Sequence, residues 1–365
     1  DHRDLHSFPT RRSSDLALTG LVAMYGASSV SAWHQLGDAD YYIRRQFLLF
    51  LLGIVSLFVM ATLPLSWLHR NATWIALGML FLLLLVFVPG IGRGVKGNQE
   101  SFQRWLALGP VSFQPSEFAK VAIVLYMARI LSLPEILRTE YDVRKLTPAV
   151  ILIGSMLAAI ILEPQYGTTI SILAVIAVMI FLSGFPMIRL LAIGLAALPV
   201  LYLLVVLWTY RLERFKVWLD PFAYRNSGGY QLVTSYRAFQ DGGLTGVELA
   251  QGFAVRYLPY GHTDFILPLT AENFGFLMVV FILSLFLFFM WRAFMNLKQL
   301  GDPFAFMVAS GSLVMLMMQT IVNLGVVTGL VPTTGISLPF FSYGGSSLVA
   351  SLMFCGLLLN TTRKA

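Results

Sequence analysis

The residues of this 365-residue chain best placed to do chemistry are few and close together. Tyr257-Leu-Pro-Tyr-Gly-His-Thr-Asp264 is followed at once by the apolar Phe265-Ile266-Leu267, so Asp264 sits where a polar segment re-enters an apolar one. A carboxylate at such a boundary is partly desolvated, its pKa rises, and it becomes a better proton acceptor near neutral pH. The same position before an apolar run also suits an N-cap, and spacing alone leaves base and cap open. His262 has no partner at metal-ligand spacing among the five histidines, which favours a hydrogen-bonded structural role; Thr263 lies between the two. Arg211 and Arg214 share a helix face at i, i+3 spacing, fit to grip phosphate or to snorkel towards lipid head groups. Glu117 and Lys120 stand at the same spacing behind Pro115-Ser116, a helix-start signal. They read as a structural pair, with Lys120 able to face a cavity. Glu163, before the helix-breaking Pro164 and Gly167, reads as a cap or as lining an opening. In Ser342-Tyr-Gly-Gly-Ser-Ser347, Ser346 reads as a helix cap, with a phosphate site at that helix start as the alternative. No Walker loop, Ser-His-Asp set, GxGxxG or paired-carboxylate motif is present.

The elements that must position these groups are membrane helices. The chain is 57% hydrophobic and 12% charged, with mean hydropathy +0.76, against roughly a quarter charged for a soluble domain. The expected fold class is an all-α polytopic membrane protein of about ten transmembrane helices with one long outer loop between helices 7 and 8. The spans lie near 17–33, 46–66, 72–90, 116–133, 147–163, 167–185, 188–208, 268–291, 304–325 and 345–361, each close to the ~20 apolar residues that cross a bilayer. The segment near 91–115 reads as amphipathic and interfacial. The loop of about 209–267 holds the candidate site. Residues 17–365 read as a single membrane domain. Residues 1–16 are polar, lack the apolar core of a signal peptide, and read as a non-native or disordered segment.

Basic residues in short loops orient the chain. Arg70, Arg129, Arg138, Arg144, Lys145, Arg189, Arg292, Lys298, Arg363 and Lys364 fall on one side, against Arg44, Arg45, Arg93, Lys96 and Arg104 on the other. The richer side is cytoplasmic by the positive-inside rule. Both termini are therefore expected inside and the 209–267 loop outside. That loop carries six bases against the trend, suiting it to phosphate, although long loops obey the rule weakly. The net charge of +7 is scattered over loops, which excludes a nucleic-acid stripe. The single Cys355, in an apolar run, excludes a disulfide framework or a cysteine metal site.

Several ordered segments together resemble the SEDS family of cell-wall polymerases, which includes FtsW and RodA. They are Tyr25-Gly-Ala-Ser-Ser29, Arg104 to Lys120, Gly229-Tyr-Gln-Leu232, His262-Thr-Asp-Phe265, Asn323 to Pro332 and Leu338 to Ser347. Leu219-Asp-Pro221, Gly229-Tyr-Gln-Leu232 and Gly325-Val-Val-Thr328 lean towards the FtsW branch. The resemblance implies a peptidoglycan glycosyltransferase of the bacterial inner (cytoplasmic) membrane that polymerises lipid II during cell division. Asp264 would be the general base, and Arg211, Arg214, Lys120, His262, Thr263, Arg104, Glu163 and Ser346 the substrate-binding candidates. It further implies a class B penicillin-binding transpeptidase and other divisome proteins as partners, and a Mg²⁺ or Mn²⁺ ion beside the pyrophosphate. A lipid II flippase and a non-catalytic scaffold for the transpeptidase are the competing readings. The chain departs from the family pattern where Gln165, Arg256, Tyr260 and Asn273 stand at positions often acidic in relatives.

Overall fold

The computed structural model describes residues 20, 26, 28, 32–33, 37–94, 103–108, 111–133, 143–206, 209–247, 251–259 and 261–363, apart from the side chains at 108, 111, 143–145, 193, 197–198, 200–206 and 209–211. The expected first span near 17–33 and the segment 1–16 lie mostly or wholly outside the described residues.

The chain is predominantly helical. Helix α1 (Tyr41–Thr62) ends because Pro64 cannot donate to the ladder and holds Leu63 extended; α2 (Leu65–Leu85) starts directly after it. The segment expected to be interfacial folds instead into a three-stranded antiparallel sheet: β1 (Gly92–Gly94), β2 (Gln103–Leu108) and β3 (Val111–Phe113), in that order. Its strands are three to six residues long, too short for a search for membrane spans to register. Pro115, at the first helical position, opens α3 (Pro115–Leu131). Then follow α4 (Val143–Leu162), α5 (Tyr166–Leu182), α6 (Met187–Val206), α7 (Thr209–Leu219), α8 (Tyr230–Gly242), α9 (Phe253–Tyr257), α10 (Gly261–Asp264), α11 (Ile266–Leu297), α12 (Pro303–Val327) and α13 (Gly345–Thr362). The expected loop of 209–267 is thus largely helical.

Among the described residues, five helices are long and apolar enough to cross a membrane: α1, α2, α11, α12 and α13. Shorter apolar helices run over Leu146–Leu162, Tyr166–Leu182 and Met187–Ala196. Phe58, Trp74, Phe81, Leu277, Leu287 and Phe294 are exposed on these helices, as expected of side chains that face lipid.

Helix α3 is the axis of the bundle. It is buried along nearly its whole length, among α2, α4, α5 and α12. Gly311 of α12 leaves room for Val124 and Met179, bringing three helices into contact. Helices α1 and α13 pack closely: Leu352 fills the space over Gly53, Gly356 lies on the Leu57 carbonyl, and Asn360 Nδ2 donates to the Met60 and Leu63 carbonyls, both at 2.6 Å. The bundle therefore has two polar ends. One joins Leu65, Ser66, His69 and Arg70 with Ser132, residues 300–305 and Thr361 around a cavity of about 520 Å³. The other joins the sheet, the α4–α5 turn, helices α7 to α10 and the α12–α13 connection, and it carries Asp264.

Candidate active site

Asp264 is the last residue of α10 and stands two residues before α11. The N-cap of α11 is Phe265 and no side chain caps that helix, so the Asp264 carboxylate is not consumed as a cap. Its backbone is pinned from below: Asn323 Nδ2, from α12, donates to the carbonyls of Asp264 and Ile336, both at 2.8 Å. One amide thereby ties the loop before α11 to the loop after α12. Gly335, at φ +73, lets the second loop run beside the carboxylate; a Cβ there would lie 3.4 Å from Oδ2.

The carboxylate is half-buried, and burial raises its pKa from 3.8 to about 6 against the opposing pull of Arg214, of a hydrogen bond with the Thr263 side chain and of Arg104. Two guanidinium groups from distant parts of the chain thus face one desolvated aspartate. Arg214, exposed on α7, donates Nη1 to the Thr333 carbonyl at 2.7 Å, and four residues on Trp218 Nε1 donates to the Gly329 carbonyl at 2.9 Å. The α7 helix is therefore fastened to the α12–α13 connection by consecutive turns of one face. The side chain of Arg211 lies outside those described. Arg104 reaches in from β2, with Nε on the Glu163 carbonyl at 3.0 Å and Nη2 on the Pro164 carbonyl at 3.4 Å. Delivering this arginine is the sheet's structural contribution to the site.

Glu163 is fully buried. One carboxyl oxygen accepts from Gln165 Nε2 at 2.6 Å, and the other has no partner among the described residues. Burial raises its pKa to about 8, against the pull of Arg104 and the Gln165 hydrogen bond, which makes Glu163 a neutral acid at pH 7. Gln165 is the hub of this corner. Its Oε1 accepts from Gln114 Nε2 at 3.1 Å and from the Ser116 hydroxyl at 3.0 Å, joining the α4–α5 turn to the start of α3. Ser346 Oγ accepts the Gln114 N–H at 3.1 Å, and Ser337 and Ser347 hydroxyls meet at 2.6 Å. Neither Ser346 nor Ser347 caps α13; both instead lock adjoining loops. Lys120 Nζ and Glu117 Oε2 form a buried ion pair at 2.7 Å in the first two turns of α3. His262 is buried between Tyr42 and Tyr343, with ring centroids at 4.6 and 5.4 Å, and its carbonyl accepts the Tyr343 N–H at 2.8 Å. Burial lowers its pKa to about 4, so it is a neutral, packed imidazole.

Asp264, Thr263, Arg214 and Arg104 are therefore brought together, with Glu163 one layer behind them. The notable omissions from the sequence reading are Asn323 as the pin and Gly335 as the close-approach position. A signal for Asn323 existed, since an amide amid an otherwise apolar span needs a polar partner, but its partner could not be known before folding. No three His, Cys, Asp or Glu side chains gather in metal-binding range among the described residues. Among the described residues the groups that act on Asp264 are Arg214, Thr263 and Arg104, with no further carboxylate beside it to share a divalent cation.

The chain matches the FTSW_RODA_SPOVE family of cell cycle proteins over residues 11–365. It is 38% identical over 350 residues, 96% of this chain and 94% of the relative, to a "Probable peptidoglycan glycosyltransferase FtsW" of Geobacter sp. (strain M18). It is 36% identical over 352 residues, 95% and 94% of the two chains, to the stage V sporulation protein E of Bacillus subtilis (strain 168). Among solved structures, a chain of a peptidoglycan synthase complex described as coordinating polymerization and crosslinking superposes with TM-score 0.79 at 31% identity, covering 98% of this chain and 97% of that one. The rod shape determining protein RodA of Thermus thermophilus superposes with TM-score 0.70 at 27% identity, covering 98% and 96%.

Proposed function

The chain belongs to the FtsW/RodA/SpoVE family of membrane-embedded cell cycle proteins, and from that premise we propose that it is a peptidoglycan glycosyltransferase of the division type, polymerising lipid II with Asp264 as general base. The observation that carries the reading is the desolvated Asp264 carboxylate, raised to about 6 and faced by Arg214 and Arg104.

The chemistry follows from that arrangement. A base with a pKa just below neutral is mostly ionised at pH 7 yet holds a proton better than an ordinary aspartate. Asp264 removes the proton of the 4-hydroxyl on the acceptor's GlcNAc. That oxygen attacks the anomeric carbon of the lipid-linked MurNAc at the end of the growing chain, with inversion. The new C–O bond forms as the anomeric carbon–phosphate oxygen bond breaks, and undecaprenyl pyrophosphate departs with the electron pair. Pyrophosphate is a good leaving group and needs no carboxylic acid behind it. It does need positive charge, which Arg214 and Arg104 supply through preorganised donors. His262, neutral and packed, shapes the loop. The buried Lys120–Glu117 pair and the Gln165 network hold the neighbouring helix ends. No step runs through a metal ion.

The same reading sets the site at the outer end of a bundle of about ten transmembrane helices in the bacterial inner membrane, with cytoplasmic termini. A class B penicillin-binding protein and other divisome proteins are its partners. The coordination of polymerization and crosslinking described for the related synthase complex supports the transpeptidase partner.

The test is lipid II polymerisation by the purified chain with its transpeptidase, the latter blocked by a β-lactam. Glycan ladders are expected from the parent and none from Asp264→Ala. Ladders that persist in the variant would remove Asp264 from the mechanism. No ladder from the parent would leave lipid II transport or scaffolding as the activity.

A further inference from the structure

Helix α11 is broken. Gly275 lies within it at φ +78 and ψ 179, outside helical geometry, and separates a short arm, 266–274, from the long membrane-crossing arm. A break in a buried helix leaves backbone groups that need partners. Here the α8–α9 connection supplies them. The N–H groups of Phe276 and Leu277 donate to the Gly243 and Leu244 carbonyls at 2.9 and 3.3 Å, and the Glu272 carbonyl accepts the Val247 N–H at 2.9 Å. Two glycines allow the close approach: a Cβ on Gly246 would strike the Asn273 carbonyl, and one on Gly275 the Leu244 carbonyl.

The short arm carries a side chain that the mechanism leaves unused. Glu272 is completely buried, and its two carboxylate oxygens accept the backbone N–H groups of Ala254 and Val255 at 2.8 and 3.0 Å. Gly252 is required beside it, because a Cβ there would collide with the carboxylate. These bonds join Glu272 to the first turn of α9. The chain between Ala254 and Glu272 is therefore a closed loop, and Asp264 lies within it.

We infer that Glu272 is a positioning residue for Asp264. Its carboxylate clamps the base of the loop that carries the catalytic group, and the break at Gly275 allows the short arm to present it. The inference rests on the function proposed above. A charged acceptor on two buried N–H groups is a strong, directional tie. Without it, two buried donors lose their partners and the loop loses its fixed base.

The test uses the full chain with its transpeptidase. Glu272→Ala is expected to lower kcat by about 10- to 100-fold, the scale of a small misplacement of a catalytic group, while KM stays within about threefold. The acid limb of the kcat–pH profile is expected to move, because Asp264 shifts relative to its arginines. Glu272→Gln, which keeps one acceptor oxygen, should recover part of the rate. Gly252→Ala, which displaces the carboxylate without removing it, should reproduce the defect and keeps the question answerable where Glu272→Ala does not fold. A second readout needs no turnover. Cys355 is the sole cysteine and is buried, so a spin label on Tyr257→Cys in a Cys355→Ala background reports on the end of α9, where Tyr257 is 57% exposed. The label should be less mobile in the parent than in the clamp variants. Parental kcat with parental label mobility in both Glu272→Ala and Gly252→Ala overturns the inference. A parent that makes no glycan, with a label freed only in the clamp variants, overturns the proposed function and leaves the clamp standing.

Discussion

At the scale of single residues, the proposed site works by desolvation held in check. Asp264 binds its proton more tightly in the folded chain than an ordinary aspartate does, with a pKa near 6 instead of 3.8. That contribution to stability is complete below about pH 4 and is lost as pH rises through about 6. At pH 7 the ionised group is therefore a cost of at most about 3 kcal/mol from the displacement, less what solvent screening removes at a half-buried site. Asp264→Asn should be inactive yet melt at a higher temperature than the parent at pH 7.5, a pairing that calorimetry beside the polymerisation assay can check. In the proposed mechanism ionisation also sets the rate, so activity should fall below about pH 6 as the base is protonated. Asn323→Asp places a second carboxylate beside the first and removes the donor from two carbonyls; like charge raises the pKa further, so the acid limb should shift to higher pH. An unmoved limb in a folded variant would show that Asp264 does not govern it. Glu163, raised from 4.5 to about 8, keeps its proton in the folded chain at pH 7 and gives it up once unfolded. The parent should therefore lose stability as pH rises from about 4.5 to about 8, and Glu163→Gln should lose less over the same range, which melting temperatures read across that range can check.

At the scale of elements, the site is assembled from helix ends and one small sheet, each stopped by an identifiable residue. Pro64 ends α1, Pro115 starts α3, and Gly275 breaks α11 at a φ of +78. The last is the most demanding, because the added methyl of Gly275→Ala meets both an unfavourable backbone region and the Leu244 carbonyl. Strain of this kind costs roughly 1–3 kcal/mol before the clash is counted. Gly275→Ala should lower the melting temperature and the polymerisation rate together. Gly301→Ala, where nothing lies near the added methyl, should change neither. The sheet has a narrower task. Its β2 strand brings Arg104 to the Glu163 carbonyl, so Arg104→Ala should weaken polymerisation while leaving the bundle folded, as followed by helical circular dichroism.

At the scale of the whole molecule, a bundle with two polar ends implies two aqueous compartments. The end that carries Asp264 is proposed to face outwards. In a Cys355→Ala background, a cysteine at the exposed Phe222 should react with a membrane-impermeant maleimide in intact cells. One at the exposed Gln299, beyond α11, should react only after permeabilisation. The reverse pattern would invert the topology and remove the site from an extracytoplasmic substrate. The bundle is closed by α1 against α13, where Asn360 serves two carbonyls at the end of α1. Asn360→Ala should cost about 1–3 kcal/mol, the scale of leaving buried acceptors unmet.

Much of this was written in the chain itself. Runs of apolar residues mark where the described helices lie, with ends offset by up to seven residues, as at Leu65 against an expected start near 72, because a membrane-crossing helix must satisfy its own backbone. The motif His262-Thr-Asp264 marks the candidate site by a related argument: charge at the edge of an apolar run is costly and needs a use. What hydropathy cannot register is pairing across long separations. The strands at 92–94, 103–108 and 111–113 are each too short to register as a span. The helices within 209–267 are polar and short. The break at Gly275 sits inside an apolar run that reads as one helix. Asn323 reaching Asp264, Arg104 reaching Glu163 and Glu272 reaching Ala254 join residues 59, 59 and 18 positions apart. Local sequence determined which groups are available at the membrane's edge. Only the tertiary structure decided which of them face Asp264, because a hydrogen bond or a desolvated charge depends on distance in space, and that distance is set by how the helices pack.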